Sequence, residues 1–298
     1  MISKKTTLAV LACAVVSASA LALEDGQRAP KRQYAIGDSI TRAFDARMPG
    51  DNQSLSWSAG YHGWWQWMTF TPDIRSHNQR IDANFGDSGR SNTLAAITGS
   101  QVDSILDQAQ GMDGAAVDYV TLLSGANDVC VSSPAELIPV DEFKNRYYRG
   151  LSAIANKIND GGTVAVAAIP DIHGFYQVGL QATALGIVSC PSLWNNIIYP
   201  ICEAMTDNDL SEAERAYVAD MNYRYNQAIG EVVDQVKAEM AANGKTVFID
   251  YTRVLEERID EMRVADLSTL DCFHPSADGQ AKIAQYTWND GPFAAYSN

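Results

Sequence analysis

The tripeptide Gly-Asp-Ser occurs twice, as Ser39 in "YAIGDSITRAF" and as Ser88 in "ANFGDSGRSNT". A serine hydroxyl becomes a nucleophile only beside a general base and near donors that can hold an oxyanion, so the rest of the chain must supply both. The histidines are His62, His77, His173 and His274. His274 stands in "STLDCFHPSADGQ", three residues after Asp271 and just before a helix expected from Ser276. An acid at that distance can turn back and accept from Nδ1, which fixes the tautomer that leaves Nε2 free to take a proton. His274 is therefore the expected base, and His62, His77 and His173 are expected to be structural or surface residues.

Two stretches could supply the donors. "TLLSGANDVC" ends an apolar run with Gly125, Ala126, Asn127 and Asp128, where the Asn127 amide can point into a cleft. In "GDSGRSN", Gly89 lets the backbone approach closely and offer its N–H. Either stretch alone also suits an ordinary turn. Gly-Asp-Ser-Gly at 86–89 resembles the nucleophile loop of trypsin-like proteases, but those all-β enzymes space His, Asp and Ser widely along the chain. Here His62 or His77 and Asp82 would crowd within about thirty residues of Ser88. Ser88 is therefore read as a turn residue. No Gly-x-Ser-x-Gly elbow occurs.

The elements that must position these residues are legible as alternation. Short apolar runs at "QYAIG", "RIDANFG", 118–125, 163–170 and 245–250 read as buried parallel strands. Between them, 93–110, 141–160 and 211–242 read as helices, the last capped by Ser211 with Glu214 and stopped near Gly244. Strand and helix in alternation give an α/β class fold, a three-layer α/β/α domain on a parallel sheet whose site lies beyond the C-terminal strand ends. The segment 171–210 is long, Gly- and Pro-punctuated and strand-poor, and is read as a cap-like insertion beside the cleft.

In order along the chain, GDSI with Ser39, then Gly89, then GAND with Asn127, then DCFH with Asp271 and His274 resemble the four blocks of the SGNH (GDSL) hydrolases. The resemblance spans about residues 33–290. It implies a flavodoxin-like α/β/α domain over 23–298 with a mostly parallel five-stranded sheet. Ser39 would be the nucleophile, His274 the base and Asp271 its orienter, with the Ser39 N–H, the Gly89 N–H and Asn127 forming the oxyanion hole. A first helix would start near Ser39. "SLSWSAG", "DYVTLLSGANDVC" and "DCFHPS" are most similar to the phospholipase B-like branch, which implies carboxylic ester hydrolysis, often on lipid acyl chains, without metal or other cofactor. A carbohydrate esterase of the same fold and a secreted binding protein that has lost the chemistry are the alternatives; no catalytic position is substituted.

The first 22 residues carry Lys4 and Lys5, an apolar run from Leu8 and small residues ending at Ala22, which reads as a secretory signal cleaved there. The run falls short of the ~18 residues needed to span a bilayer. A lipoprotein anchored at Cys13 is the weaker alternative. Cleavage removes two lysines and takes the formal charge from −14 to −16. Such an acidic surface opposes nucleic-acid binding and docking on anionic lipid. The four remaining cysteines, Cys130, Cys190, Cys202 and Cys272, suggest two disulfides in an oxidising compartment, secreted or periplasmic. Three connectivities are possible; Cys190 with Cys202 closes the shortest loop, leaving Cys130 with Cys272. No zinc-knuckle spacing or His-Glu-x-x-His is present, so no metal is implied. The aromatic cluster Trp57, Tyr61, Trp64, Trp65, Trp67 and Phe70 is expected to lie mainly in the core.

Overall fold

The computed structural model describes residues 23–113, 116–195 and 201–297. The proposed leader, 1–22, lies outside the described residues. Five strands form one parallel sheet: β1 (Arg32–Gly37), β2 (Ser91–Leu94), β3 (Tyr119–Leu123), β4 (Gly162–Ala167) and, last in the chain, β7 (Val247–Thr252). Their order is β2-β1-β3-β4-β7, and every pairing is parallel. A two-residue pair, β5 (Thr183–Ala184) and β6 (Val188–Ser189), makes a separate hairpin.

Side chains alternate across the sheet, as a period of two requires. On one face Val120, Leu122, Val164 and Val166 join the main core under α3 (Ser104–Gln110), α5 (Val140–Lys157) and α9 (Glu212–Ala242). Helix α5 forms there because Phe143, Tyr147, Leu151 and Ile154 recur every three or four residues and are all buried. On the other face Tyr119 and Ala165 meet Ile81 of α2 (His77–Phe85) and Trp288 of α11 (Ala277–Asn289). Those two helices are locked together by buried His77, whose ring nitrogens bond Tyr119 Oη at 2.7 Å and Thr287 Oγ1 at 2.9 Å. Helices thus cover both faces, the expected three layers.

Two of the expected elements are corrected. "RIDANFG" is part of α2, not a strand: Ser76 caps the helix reciprocally with Gln79, and Ile81 is buried. The second strand is instead "SNTL" at β2, and the helix expected from 93 begins only at Ser104. An edge strand that faces solvent has no need of apolar residues, so this one carried no hydrophobic signal.

The aromatic cluster divides as well. Trp57 is in the core, its indole bonded to Thr41 Oγ1 and its backbone N–H to Gln280 Oε1. The others are exposed, because the chain leaves the body at Gly60 and returns at Ser76, whose Oγ donates to the Gly60 carbonyl at 2.6 Å. Within that excursion the short helix α1 (Trp64–Met68) buries none of its residues.

The remaining short helices are α4 (Ala126–Val129), α6 (Ile172–Gly179), α7 (Cys190–Trp194), α8 (Glu203–Thr206) and α10 (Val254–Glu257). Helices α6, α7 and α8, with the β5–β6 hairpin, make up the insertion at 171–210. Its disulfides are Cys130–Cys202 and Cys190–Cys272, not the pairs expected from loop length. Each bridge ties the insertion to the body: α8 to the end of α4, and α7 to the loop before His274. A Cys190–Cys202 bond would have left the insertion fastened only to itself.

Candidate active site

Strand order reverses between β1 and β3, so the loops leaving their C-terminal ends diverge and open a crevice. The two strands end level, with Gly37 beside Leu123. Gly37 is required here: at φ +157° any Cβ would lie 2.4 Å from both the Leu123 carbonyl and Thr41 Oγ1. After it, Asp38 and Ser39 enter a tight turn rather than the expected helix. The Ile40 and Thr41 carbonyls, which a helix would need, are taken by Gln280 Nε2 and Ser56 Oγ, and Ala43 adopts φ +52°.

From the far end of the chain the loop 268–274 folds onto this turn. Asp271 is 2% exposed, and its carboxylate accepts three hydrogen bonds. Its Oδ1 takes the N–H groups of Phe273 (2.9 Å) and His274 (3.0 Å), and its Oδ2 lies 2.6 Å from His274 Nδ1. With the ring proton on Nδ1, Nε2 is left to accept from Ser39 Oγ at 2.8 Å. Phe44 packs against the imidazole, ring centroids 5.1 Å apart. Burial pushes the His274 pKa down, but the charge and hydrogen bond of Asp271, with Asp38 and Asp45 beyond, outweigh it and leave the pKa above its ordinary value.

Asn127, on α4 directly after β3, lines the same cleft as Ser39 and His274. Its Nδ2 donates to the Ser100 carbonyl at 2.9 Å, which fixes the amide and leaves its second N–H available. Gly89 is not brought to the site. It lies in the turn before β2, where Ser91 pairs with Arg32 at the start of β1. The length of β1, roughly 20 Å for six residues, separates it from Ser39.

Beyond the other end of β2 stands a different glycine, Gly99. It follows Ile97, whose N–H bonds the Gly37 carbonyl, and precedes Ser100, which holds Asn127. Among the described residues its N–H has no hydrogen-bond partner. Placing the second strand at 91–94 would have exposed this residue to a sequence reading, as the first glycine beyond the strand.

Two carboxyls beneath the site are buried without full pairing. Asp38 Oδ1 accepts from the Ile40 N–H, while burial raises the pKa to about 6. Asp128 Oδ2 accepts from the Val102 N–H, and burial raises its pKa to about 7. Among the described residues no histidine hydrogen-bonds Ser88: its carbonyl accepts from Lys31, while His62 bonds the Thr71 carbonyl and His173 bonds Gln177.

The cleft above Ser39 has a volume of 210 Å³. Its apolar wall comes largely from the insertion, with Ile172, Phe175 and Ile201 beside Phe273 and the Cys130–Cys202 bridge. Trp194 of α7 donates its indole N–H to the Asp271 carbonyl at 3.0 Å and packs edge-on to Phe273. The insertion therefore supports the acid–histidine loop as well as walling the cleft, a role its sequence did not announce. No cluster that could hold a metal ion occurs among the described residues.

Among solved structures, LAE5, an alpha/beta hydrolase enzyme from the metagenome of Lake Arreo, is 15% identical with a TM-score of 0.51, covering 91% of this chain and 97% of that one. An extracellular lipase from Streptomyces rimosus is 15% identical over 85% of this chain and 95% of its own, with a TM-score of 0.42. A family two carbohydrate esterase from Clostridium thermocellum is 12% identical over 87% and 62%, with a TM-score of 0.46. No curated protein matches the sequence. The family model for GDSL-like lipase/acylhydrolase matches residues 34–287, nearly all of the described chain from β1 to α11, and the protein belongs to that family.

Proposed function

We propose that the protein is an exported serine esterase that hydrolyses carboxylic esters through an acyl-enzyme on Ser39. The observation that carries this reading is the continuous line of hydrogen bonds from Asp271 Oδ2 through His274 to Ser39 Oγ, at 2.6 and 2.8 Å. Ser39 Oγ attacks the ester carbonyl carbon while its proton passes to His274 Nε2. The carbonyl oxygen, now an oxyanion, is held by the Ser39 N–H, the Asn127 amide and the Gly99 N–H, which replaces Gly89 in this role. Collapse breaks the ester C–O bond, and the alcohol leaves with the proton from Nε2. Water then attacks the acyl carbon, giving its proton to Nε2, and the second collapse returns that proton to Ser39 as the acid leaves.

The cleft volume of 210 Å³ suits an acyl group of a few carbons, since pockets for larger ligands run from about 300 Å³ upward. Export rests on the leader-like first 22 residues and on the two disulfides, which persist in oxidising compartments.

The test is hydrolysis of 4-nitrophenyl esters from acetyl to palmitoyl by the protein, Ser39→Ala and Ser88→Ala. Turnover lost only in Ser39→Ala, and fastest on short acyl groups, is the expected result. Turnover that survives in Ser39→Ala removes the nucleophile assignment, and its absence from all three proteins moves the chain to the binding-protein alternative.

A further inference from the structure

Two uncharged tips project from a protein of formal charge −14. One is α1 and the turn after it, where Trp64, Trp65 and Trp67 are 64 to 70% exposed and Phe70 is 88% exposed. Together these four rings leave on the order of 500 Å² of apolar surface in water, at the upper end for soluble monomers. Phe70 also sits at φ +51°, a region that bulky residues rarely adopt. The second tip is the β5–β6 hairpin, with Leu185 66% and Ile187 82% exposed. Neither 61–70 nor 180–189 contains an Asp, Glu, Lys or Arg.

The tips are joined through the loops that build the active site. Arg47 donates to Thr71 Oγ1 and to the Thr69 carbonyl at the end of the first. Asp45, two residues earlier, receives Ser268 Oγ on its carbonyl, and the Thr269 carbonyl receives the Leu185 N–H at the second. Phe44 and His274 lie on these same two loops. The hairpin tip therefore adjoins the loop that carries Asp271 and His274, and the first tip is bonded at Thr69 and Thr71 to the loop that follows Ser39.

We propose that α1 with Phe70 and the β5–β6 hairpin form a docking surface for a neutral lipid–water interface, bringing the cleft to esters held there. Tryptophan and phenylalanine with no flanking cations favour an uncharged interface, and the net acidity opposes anionic lipid. The same charge opposes a second copy of the chain, and aliphatic tips at Leu185 and Ile187 offer no ring to stack on a sugar. An open depression of 590 Å³ at the foot of α1, lined by Asn78, Asp82, Arg90 and Asn92, has the polar groups a sugar would need, yet none of the exposed tryptophans lines it. The docking role depends on the esterase reading only for its purpose, so binding is measured on Ser39→Ala, which holds turnover apart.

The experiment is co-sedimentation of Ser39→Ala with phosphatidylcholine vesicles, with vesicles that include phosphatidylglycerol, and with insoluble cellulose. The expected result is binding to phosphatidylcholine that phosphatidylglycerol does not strengthen. Binding should fall at least about tenfold when Trp64→Ser, Trp65→Ser and Phe70→Ser are combined, and severalfold with Leu185→Ser and Ile187→Ser. The same surface substitutions in a protein with Ser39 should leave hydrolysis of a soluble acetate ester unchanged, which also reports that they fold. No binding to phosphatidylcholine, binding that requires phosphatidylglycerol, binding to cellulose alone, or binding indifferent to the substitutions overturns the proposal. So does a dimer in solution that the substitutions dissociate. Failure of binding with ester hydrolysis intact refutes docking alone; binding with no hydrolysis by the unsubstituted protein refutes the esterase reading alone.

Discussion

Asp271→Asn tests the proposed catalytic line at its most buried member. Asparagine can keep its Oδ1 on the Phe273 and His274 N–H groups, the bonds that shape the loop, so the fold should survive. Its amide then faces His274 Nδ1 as a donor, and the imidazole must accept there and carry its proton on Nε2. That is the atom 2.8 Å from Ser39 Oγ, so the base is occupied by the proton it should be free to receive. Loss of the correct tautomer and of the charge that stabilises the imidazolium should lower kcat by ~10⁴, or about 5.5 kcal/mol, with little change in KM. A second signature follows from the His274 pKa. Burial lowers it and Asp271 is the chief group raising it, so in Asp271→Asn the acid limb of the residual kcat/KM should move to lower pH. In the unsubstituted protein, activity falls as acidification protonates His274 at a pKa above the ordinary value. The assay is 4-nitrophenyl acetate hydrolysis from about pH 5 to about pH 9, with circular dichroism to confirm folding. A loss under tenfold with the acid limb unmoved would refute the assignment of Asp271.

Asn127→Ala should reduce turnover on the order of 100-fold, and Gly99→Ala should also reduce it while Gly89→Ala does not, although both glycines have positive φ; steady-state kinetics on the three variants decide this. Asp128 sets a stability trend: its pKa is raised to about 7 in the fold and is about 4 unfolded, so its contribution is complete at low pH and lost as pH rises through about 7. Asp128→Asn should therefore raise Tm relative to the unsubstituted protein by more at about pH 8 than at about pH 5, and by least near about pH 4, as read by thermal denaturation. Cys130→Ser with Cys202→Ser releases a bridge between residues 72 apart and should cost up to about 4 kcal/mol, measured by denaturant unfolding; an unchanged midpoint would show that α8 is held without it.

The fold class was readable because buried strands such as "YVTLL" and capped helices such as the one after Ser211 carry strong local signals. Asp271 and His274 were readable for the same reason, being three residues apart and related by local geometry. What was not readable depends on residues far apart in the chain. The polar edge strand "SNTL" has no hydrophobic pattern, so the sequence signal for a second strand falls in α2 and points to Gly89, at the other end of the sheet from Ser39. The turn after Ser39 replaces a helix because Gln280, some 240 residues away, takes a carbonyl there. Loop length favours Cys190 with Cys202, whereas it is the docking of α7 and α8 on the body that selects the partners. Residue type alone puts the tryptophans in the core; only the excursion between Gly60 and Ser76 shows that Trp64, Trp65 and Trp67 are exposed.

The two bridges overlap along the chain, since Cys190 lies between Cys130 and Cys202, and Cys202 lies between Cys190 and Cys272. Every peptide bond from Cys130 to Cys272 is therefore spanned by at least one of them. A protease that nicks the protein once in that interval, at the exposed Leu185–Ile187 tip for instance, leaves a single covalent molecule. The two halves of such a nicked chain would stay attached until a reductant is added, so damage that would dismember an unbridged enzyme is here only a break in the backbone.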